Sequence, residues 1–174
     1  TNISFDIDEV GETQMGRWGK CKLLTVGFGH GIATTLLQLT KGYSIISNGG
    51  FEISPTLIQK NNNKKIKRIL NEEVSKKINP ILRKIVSTKE GTAGFANVKG
   101  YDIGGKTGTA DIASAGGYSK KKINTFASVF PTSNPKFVLV VMLDEPKANK
   151  EFVYHYRDGR NPYKGNWRNT AGWT

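Results

Sequence analysis

The apolar residues change their period near Gly100, and this change most constrains the fold. Before Gly100, two stretches place apolar residues at the spacings of three and four that are typical of one helix face. The first stripe consists of Ile32, Leu36, Leu39, Tyr43 and Ile46. The second consists of Val74, Ile78, Leu82, Ile85 and Val86. Three β-rich segments with short connections follow, so the order predicts an α+β domain with helices packed on an antiparallel meander.

Local signals mark the ends of the two predicted helices. Asn48-Gly49-Gly50 should end the first helix, because a glycine readily takes the left-handed conformation of a helix cap. Asn71 is a suitable N-cap for the second helix, and two glutamates in the next turn favour a helix start. Pro80 is expected to kink or restart this helix, and Gly91 to end it.

The predicted strands cover residues 101–110, 123–130 and 136–143. We interpret "GGYSKKK" as the loop between the first two and "PTSNP" as the turn before the third. The first thirty residues are expected to form loops with short extended pieces. Residues 144–168 are expected to form a long loop.

Composition excludes some classes of protein. The 174 residues suit one domain or a large part of one, and the longest apolar run, residues 137–143, falls far short of the ~20 residues of a transmembrane helix. Cys21 is the only cysteine, so an internal disulfide is impossible. The two histidines, His30 and His155, lie far apart and predict no metal site, and no cofactor is expected. Asp144 and Glu145 are interpreted as structural.

The net charge of +12 raises the alternative of a basic module that binds nucleic acid or an anionic surface. The lysines cluster in "NNNKKIKR", "SKK" and "SKKK", without interleaved aromatic residues on which bases would stack. This pattern favours a solvated basic face, so no nucleic-acid partner is expected.

The segment "GGKTGTA" carries the strongest candidate chemistry. On a strand, Lys106 and Gly108 share one face while Thr107 and Thr109 share the other. Gly108 leaves space in which a ligand backbone could lie, Lys106 supplies positive charge, and nearby backbone N–H groups could stabilise an oxyanion. The same residues would also suit an edge strand that lysine and threonine protect from aggregation. The tripeptide Lys-Thr-Gly is too short to decide between the two.

Four stretches in order resemble the carboxy-terminal half of the penicillin-binding transpeptidase domain, most closely that of the class B enzymes of bacterial cell division. They are "IDEVGE", "TVGFGHGIATTLLQLTKGYSIISNGG", "GTAGFANVKGYDIGGKTGTAD", and "YSKKKINTFASVFPTSNPKFVLVVMLDEPK" with the terminal "TAGWT". The resemblance implies the fold shared with serine β-lactamases, in which Lys-Thr-Gly is the third motif beside a serine nucleophile.

In this family Lys106 would shape the electrostatics of the site and bind the second motif. The hydroxyls of Thr107 and Thr109 would hold the terminal carboxylate of the substrate, beside the backbone of Gly108. The N–H of Thr109 would be one donor of the oxyanion hole. The resemblance implies a peptidoglycan D,D-transpeptidase of septal cell-wall synthesis, in which a serine takes the acyl group of a stem peptide and passes it to a neighbouring amine. β-Lactams would acylate the same serine.

The chain departs from the family pattern at the other two motifs. It contains no Ser-x-Asn, and the Ser-x-x-Lys from Ser119 to Lys122 falls in the predicted loop after the Lys-Thr-Gly strand, where a nucleophile is not expected. We interpret residues 1–174 as a carboxy-terminal part of one transpeptidase domain, truncated at both ends and inactive alone, with its nucleophile outside the chain. Its helical part would cover about 1–98, and its meander and tail about 99–174.

Further expectations follow from the resemblance. In the family's five-stranded sheet, the strand at 136–143 pairs with a strand that precedes the nucleophile, so the isolated chain should be poorly soluble or oligomeric. Expected partners are peptidoglycan stem peptides, β-lactams and divisome membrane proteins, at the periplasmic face of the inner membrane with an upstream anchor. The alternatives are a serine β-lactamase or β-lactam sensor domain, the basic binding module, and an inactive product that binds divisome partners.

Overall fold

The computed structural model describes residues 14–15, 19, 22–27, 29, 31–57, 66–114 and 117–147. Its elements in chain order are β1 (Gln14–Met15), α1 (Lys22–Gly27), β2 (Ile32–Ala33), α2 (Leu36–Ser47), α3 (Glu72–Ser87), a 3-10 turn (Gly94–Ala96), β3 (Gly104–Ser114), β4 (Gly117–Phe130) and β5 (Phe137–Asp144). Within this part of the chain, no helix is long and apolar enough to cross a membrane.

The main sheet has three strands in the order β3-β4-β5, all antiparallel to their neighbours. Thr107, Phe126 and Val141 lie side by side across it and fix its register. Helix α2 contacts β4 and β5, while α3 contacts β3. The predicted α+β arrangement and the antiparallel meander are therefore confirmed. A smaller antiparallel pair joins β1 to β2.

Helix α2 ends where the sequence predicts but begins later. Thr35 caps its start, since its hydroxyl accepts a hydrogen bond of 3.1 Å from the backbone N–H of Gln38. After the helix, Gly49 and Gly50 take φ values of +89° and +86°, which confirms the glycine termination. The predicted stripe started too early, because Ile32 pairs in β2 instead.

Helix α3 begins at the predicted cap. The Asn71 side chain accepts a hydrogen bond of 3.0 Å from the backbone N–H of Glu73. The helix runs through Pro80 as one element, so the expected restart is wrong, and it ends at Ser87, before Gly91. Pro80 lies exposed at mid-helix, where its ring does not face the core.

Two expectations about loops are wrong. Strand β3 continues to Ser114 and β4 already begins at Gly117, so "GGYSKKK" belongs mostly to a strand. Cross-strand pairs such as Asp111 with Lys122 extend the hairpin, and this pairing outweighs the local preference of glycine and lysine for loops. Helix α1 replaces part of the loop expected in the first thirty residues. The expected tail loop lies outside the described residues after 147.

The hydrophobic core nearest to β3 forms around Phe126. Its ring packs with Val86 of α3 and with Ala93, which follows that helix, and Ile85 and Ala96 surround the cluster. Val86 is fully buried, and Phe126 retains only 6% exposure. The core therefore couples the end of α3 to the middle of the β3–β4 hairpin, where "GGKTGTA" lies.

Candidate functional site

Strand β3 presents the Lys-Thr-Gly segment along one side of the sheet. Lys106, Thr107, Gly108 and Thr109 lie opposite residues 127, 126, 125 and 124 of β4 respectively. Among the residues that the structure describes, β3 pairs only with β4, which leaves its other edge open. Lys106 and Thr109 are exposed, and Thr107 and Gly108 are half-buried. A backbone with an open edge and donor side chains on both faces can bind an extended peptide as an added strand.

The two glycines before the lysine allow close packing. A Cβ on Gly104 would lie 2.3 Å from Cγ2 of Thr132 and 2.9 Å from the backbone nitrogen of Arg83. A Cβ on Gly105 would lie 2.6 Å from Cζ of Phe126. Gly104 thus lets α3 approach the start of β3, and Gly105 accommodates the core ring.

The absence of a side chain at Gly108 is also explained by packing against the neighbouring strand. A Cβ on Gly108 would lie 2.6 Å from Oγ1 of Thr125, the residue opposite it on β4. The sequence suggested that this glycine makes space for a ligand, but did not show that a neighbouring hydroxyl already occupies the side-chain space. The contact with Thr125 therefore accounts for glycine at this position without a ligand.

The ammonium group of Lys106 lies against its own strand. Its Nζ atom donates a hydrogen bond of 2.6 Å to the backbone carbonyl of Thr107. The positive charge is therefore held beside the backbone of the segment. An anionic group approaching Thr107 would meet both a charge and a hydroxyl donor.

The Thr107 hydroxyl has a partner that the sequence did not single out. Its Oγ1 atom lies 2.8 Å from Oγ1 of Thr92, and either hydroxyl can be the donor. Thr92 belongs to the loop between α3 and the 3-10 turn, and it is exposed. Thr92 lies within "GTAGFANVKG", part of a stretch that resembles the family. No local pattern in the sequence indicates that Thr92 lies close to Thr107.

An ion-pair network holds the chain just before β3. Asp102 accepts hydrogen bonds from the Thr132 hydroxyl at 2.5 Å and from the Ser133 backbone N–H at 2.8 Å. Arg83 of α3 places Nε 3.3 Å from the same carboxylate and donates to the carbonyl of Ile103 at 2.8 Å. The bond from the Thr132 hydroxyl, helped by Ser133 and Arg83, lowers the pKa of Asp102 below its ordinary value. The network ties α3 and the β4–β5 turn to the start of the candidate site.

The chain contains two Ser-x-x-Lys spacings, and both follow the Lys-Thr-Gly strand, where a nucleophile is not expected. Ser119 belongs to β4 rather than to a loop, and Lys122 forms an ion pair with Asp111. The second Ser-x-x-Lys spacing, which the sequence analysis missed, runs from Ser133 to Lys136 in the turn before β5. In that turn both residues use their backbone N–H groups, Ser133 toward Asp102 and Lys136 toward a carbonyl 3.3 Å away.

The remaining candidates have structural roles or lie outside the described part. Asp144 ends β5, and Glu145 forms an ion pair of 2.7 Å with Lys121, which agrees with the structural interpretation. Cys21, His30 and His155 lie outside the described residues. Within the described residues, no group of three His, Cys, Asp or Glu side chains could hold a metal ion.

Comparison with known proteins places this chain in a family. Residues 1–158 match the penicillin binding protein transpeptidase domain. The chain therefore belongs to the penicillin-binding protein transpeptidase family. The predicted resemblance, including the antiparallel sheet with packed helices, is confirmed.

Relatives with assigned names agree with this membership. The chain is 35% identical over 136 residues to the probable peptidoglycan D,D-transpeptidase PenA of Neisseria flavescens, covering 76% of this chain and 33% of the relative. It is also 35% identical over 147 residues to the peptidoglycan D,D-transpeptidase FtsI of Buchnera aphidicola, covering 80% and 25% respectively. The chain thus spans a third or less of the length of these relatives.

A solved structure shows the same fold. The apo transpeptidase domain of penicillin-binding protein 3 from Burkholderia pseudomallei superimposes with a TM-score of 0.72 at 28% identity. The match covers 82% of this chain and 46% of that domain chain.

Proposed function

We propose that this chain is part of a peptidoglycan D,D-transpeptidase, and that residues 106–109 form the wall that binds the carboxylate end of a stem peptide. One observation carries the proposal: within the described part of the chain, β3 has an open edge with Lys106, Thr107 and Thr109 along it, and the chain belongs to the penicillin-binding family. The names of the relatives favour transpeptidase over β-lactamase activity.

Each residue of the wall has a distinct proposed role. Lys106 supplies positive charge beside the bound carboxylate, and the Thr107 and Thr109 hydroxyls donate hydrogen bonds to its oxygens. The backbone N–H of Thr109 stabilises the oxyanion that forms when the peptide carbonyl is attacked. Gly108 keeps the strand backbone accessible between the two threonines. We propose that such a site also binds β-lactams. In support, the structure of penicillin-binding protein 3 from Mycobacterium tuberculosis complexed with aztreonam matches with a TM-score of 0.64 at 27% identity, over 75% of this chain and 33% of that chain.

The attacking serine is proposed to lie outside these 174 residues. Its oxygen would add to the carbonyl of the penultimate D-alanine, and the bond to the terminal D-alanine would break as that residue leaves with a proton. The acyl group would then pass from the serine to an amine of a neighbouring stem, which restores the serine hydroxyl.

The wider setting is part of the same proposal. Residues 1–174 would form one part of a transpeptidase domain, helical to about residue 98, at the periplasmic face of the inner membrane and with divisome proteins as partners. A septal division role is the leading setting. A sporulation role is a second setting, because the chain is also 31% identical over 165 residues to stage V sporulation protein D of Bacillus subtilis, of which it covers 24%.

A titration followed by nuclear magnetic resonance tests the binding site directly. The ¹⁵N-labelled chain would be titrated with an acetylated tripeptide that ends in D-Ala-D-Ala, with the L-Ala-L-Ala peptide as the stereochemical control. We expect the amide signals of residues 106–109 to shift with the D-peptide only, and the shift to weaken in Thr109→Val. Unchanged signals at these four positions would contradict the proposed site.

Incubation with a fluorescent penicillin tests where the nucleophile lies. On a denaturing gel we expect no covalent label on the 174-residue chain. Label that disappears in Ser119→Ala or Ser133→Ala would place the nucleophile within the chain and contradict the proposal.

A further inference from the structure

A second threonine stands directly beside the candidate substrate wall. The Oγ1 atoms of Thr92 and Thr107 lie 2.8 Å apart, which is a normal distance for a hydrogen bond between hydroxyls. Thr92 is exposed and Thr107 half-buried. The pair therefore sits at the surface where a ligand lying along β3 would meet it.

The core holds Thr92 in this place. The next residue, Ala93, is only 4% exposed and packs in the cluster of Phe126, which lies opposite Thr107 on β4. The backbone N–H of Ala93 donates to the Ile85 carbonyl at 3.2 Å. Thr92 and Thr107 are thus both anchored to one buried ring, from two different segments of the chain.

Gly91 allows the chain to turn back onto α3 at this point. A Cβ on Gly91 would lie 2.0 Å from the carbonyl oxygen of Ile85, so any side chain here would displace the loop. The close approach of Gly91 and the burial of Ala93 fix the residues on both sides of Thr92. Packing therefore holds the backbone on both sides of Thr92 and keeps its hydroxyl within reach of Thr107.

We propose that Thr92 is a positioning residue that orients the Thr107 hydroxyl toward the carboxylate of the bound peptide; this inference rests on the proposed function. A threonine hydroxyl has one proton to donate and two lone pairs that accept. When Thr92 donates to Oγ1 of Thr107, the Thr107 proton is left to point at the ligand. Hydrogen bonds in such a chain polarise one another, so the outer bond to the anion becomes stronger.

The charge next to the pair favours the same direction of donation. Lys106 places its ammonium on the carbonyl of Thr107, and an anion bound there accepts from Thr107 rather than donating to it. Without the Thr92 hydroxyl, the Thr107 proton can point in several staggered directions, of which only some serve the ligand.

Three variants separate this role from a structural one. Thr92→Val removes the hydroxyl and keeps the shape, Thr92→Ser keeps the hydroxyl, and Thr88→Val is the control. Thr88 lies at the end of α3, where its hydroxyl donates to the Lys84 carbonyl at 2.9 Å and not to a residue of β3. Binding is measured by titration with the D-Ala-D-Ala peptide and with the same peptide as its neutral C-terminal amide.

We expect Thr92→Val to weaken binding of the carboxylate peptide about three- to tenfold, the usual effect of one hydrogen bond. Binding of the amide peptide should change less than about twofold, because the neutral group gains little from an oriented donor. Thr92→Ser and Thr88→Val should both stay within about twofold of the wild type.

Each other outcome has a definite meaning. If the wild type binds the carboxylate peptide and Thr92→Val binds it equally well, the positioning role is wrong and the proposed function stands. If Thr92→Val loses affinity for both peptides alike, Thr92 acts only through structure, and the inference is wrong. If the wild type shows no binding, the proposed binding wall at residues 106–109 is contradicted, and the inference about Thr92 falls with it.

Discussion

Gly105→Ala should destabilise the protein through the core beneath the candidate site. The new Cβ would lie 2.6 Å from Cζ of Phe126 and 2.7 Å from the carbonyl oxygen of Ala127. Carbon atoms in contact normally lie about 3.5–4.0 Å apart, so the ring tip has to move by about 1 Å. That ring is 6% exposed and packs against Val86, whose side chain is fully buried. The Ala127 carbonyl belongs to the paired backbone and moves only if the strands separate.

The expected loss follows from this overlap. Adding one methyl group to a well-packed core typically costs about 1–3 kcal/mol. We expect the free energy of unfolding to fall by about 2 kcal/mol, which changes the folding equilibrium about thirtyfold. For a chain of this size, that corresponds to a decrease in Tm of about 4–8 °C.

Urea denaturation followed by circular dichroism measures the effect. The midpoint urea concentration should fall while the slope of the unfolding free energy against urea stays unchanged, because the surface area exposed on unfolding stays the same. Gly42→Ala in α2 is the matched control, since its Cβ would meet no atom within 4 Å. There the same substitution should stabilise the helix by about 0.5–1 kcal/mol, the opposite sign.

Repeating the substitution in a Phe126→Leu variant tests whether the ring of Phe126 causes the loss of stability. In Phe126→Leu the ring tip is absent, so adding Gly105→Ala should cost less than it does in the wild type. Some cost should remain, because the Ala127 carbonyl still lies 2.7 Å from the new methyl group. A Gly105→Ala stability within about 0.5 kcal/mol of the wild type would refute the packing argument, since overlap of this kind is expected to exceed that value.

Two further predictions concern acid stability and association. The pKa of Asp102 is lowered in the folded state, chiefly by the Thr132 hydroxyl, so its stabilisation is present above the unfolded value of about 3.9 and is lost as the pH falls through the lower folded value. Urea unfolding between pH 2 and 7 should show this loss, and Thr132→Val should make it smaller; an unchanged pH dependence in the variant would contradict the assignment. On β5, one of the two edge strands of the described sheet, Phe137 is 60% exposed and Leu139 52%, so the chain should self-associate. Sedimentation velocity should show mass increasing with concentration and a smaller increase in Leu139→Lys, whereas a monomer at every concentration would contradict this reasoning.

The sequence by itself determined the features whose signals are local. The N-cap at Asn71 and the glycine end of α2 were predictable, because caps and left-handed glycines depend on residues within one helical turn. The alternation of Lys106 and Thr107 between strand faces was also predictable, because it follows from the period of two in any strand. The resemblance of ordered segments identified the family before any coordinates did.

Only the tertiary structure decided the features that depend on contacts between distant segments. The "GGYSKKK" segment becomes part of a strand because it pairs across the hairpin, although its composition favours a loop. Gly105 is required by a ring that lies on the neighbouring strand, and Thr92 meets Thr107 because both segments pack on the same core. No local pattern records these contacts, since they arise from the volume that side chains fill when helices and strands come together.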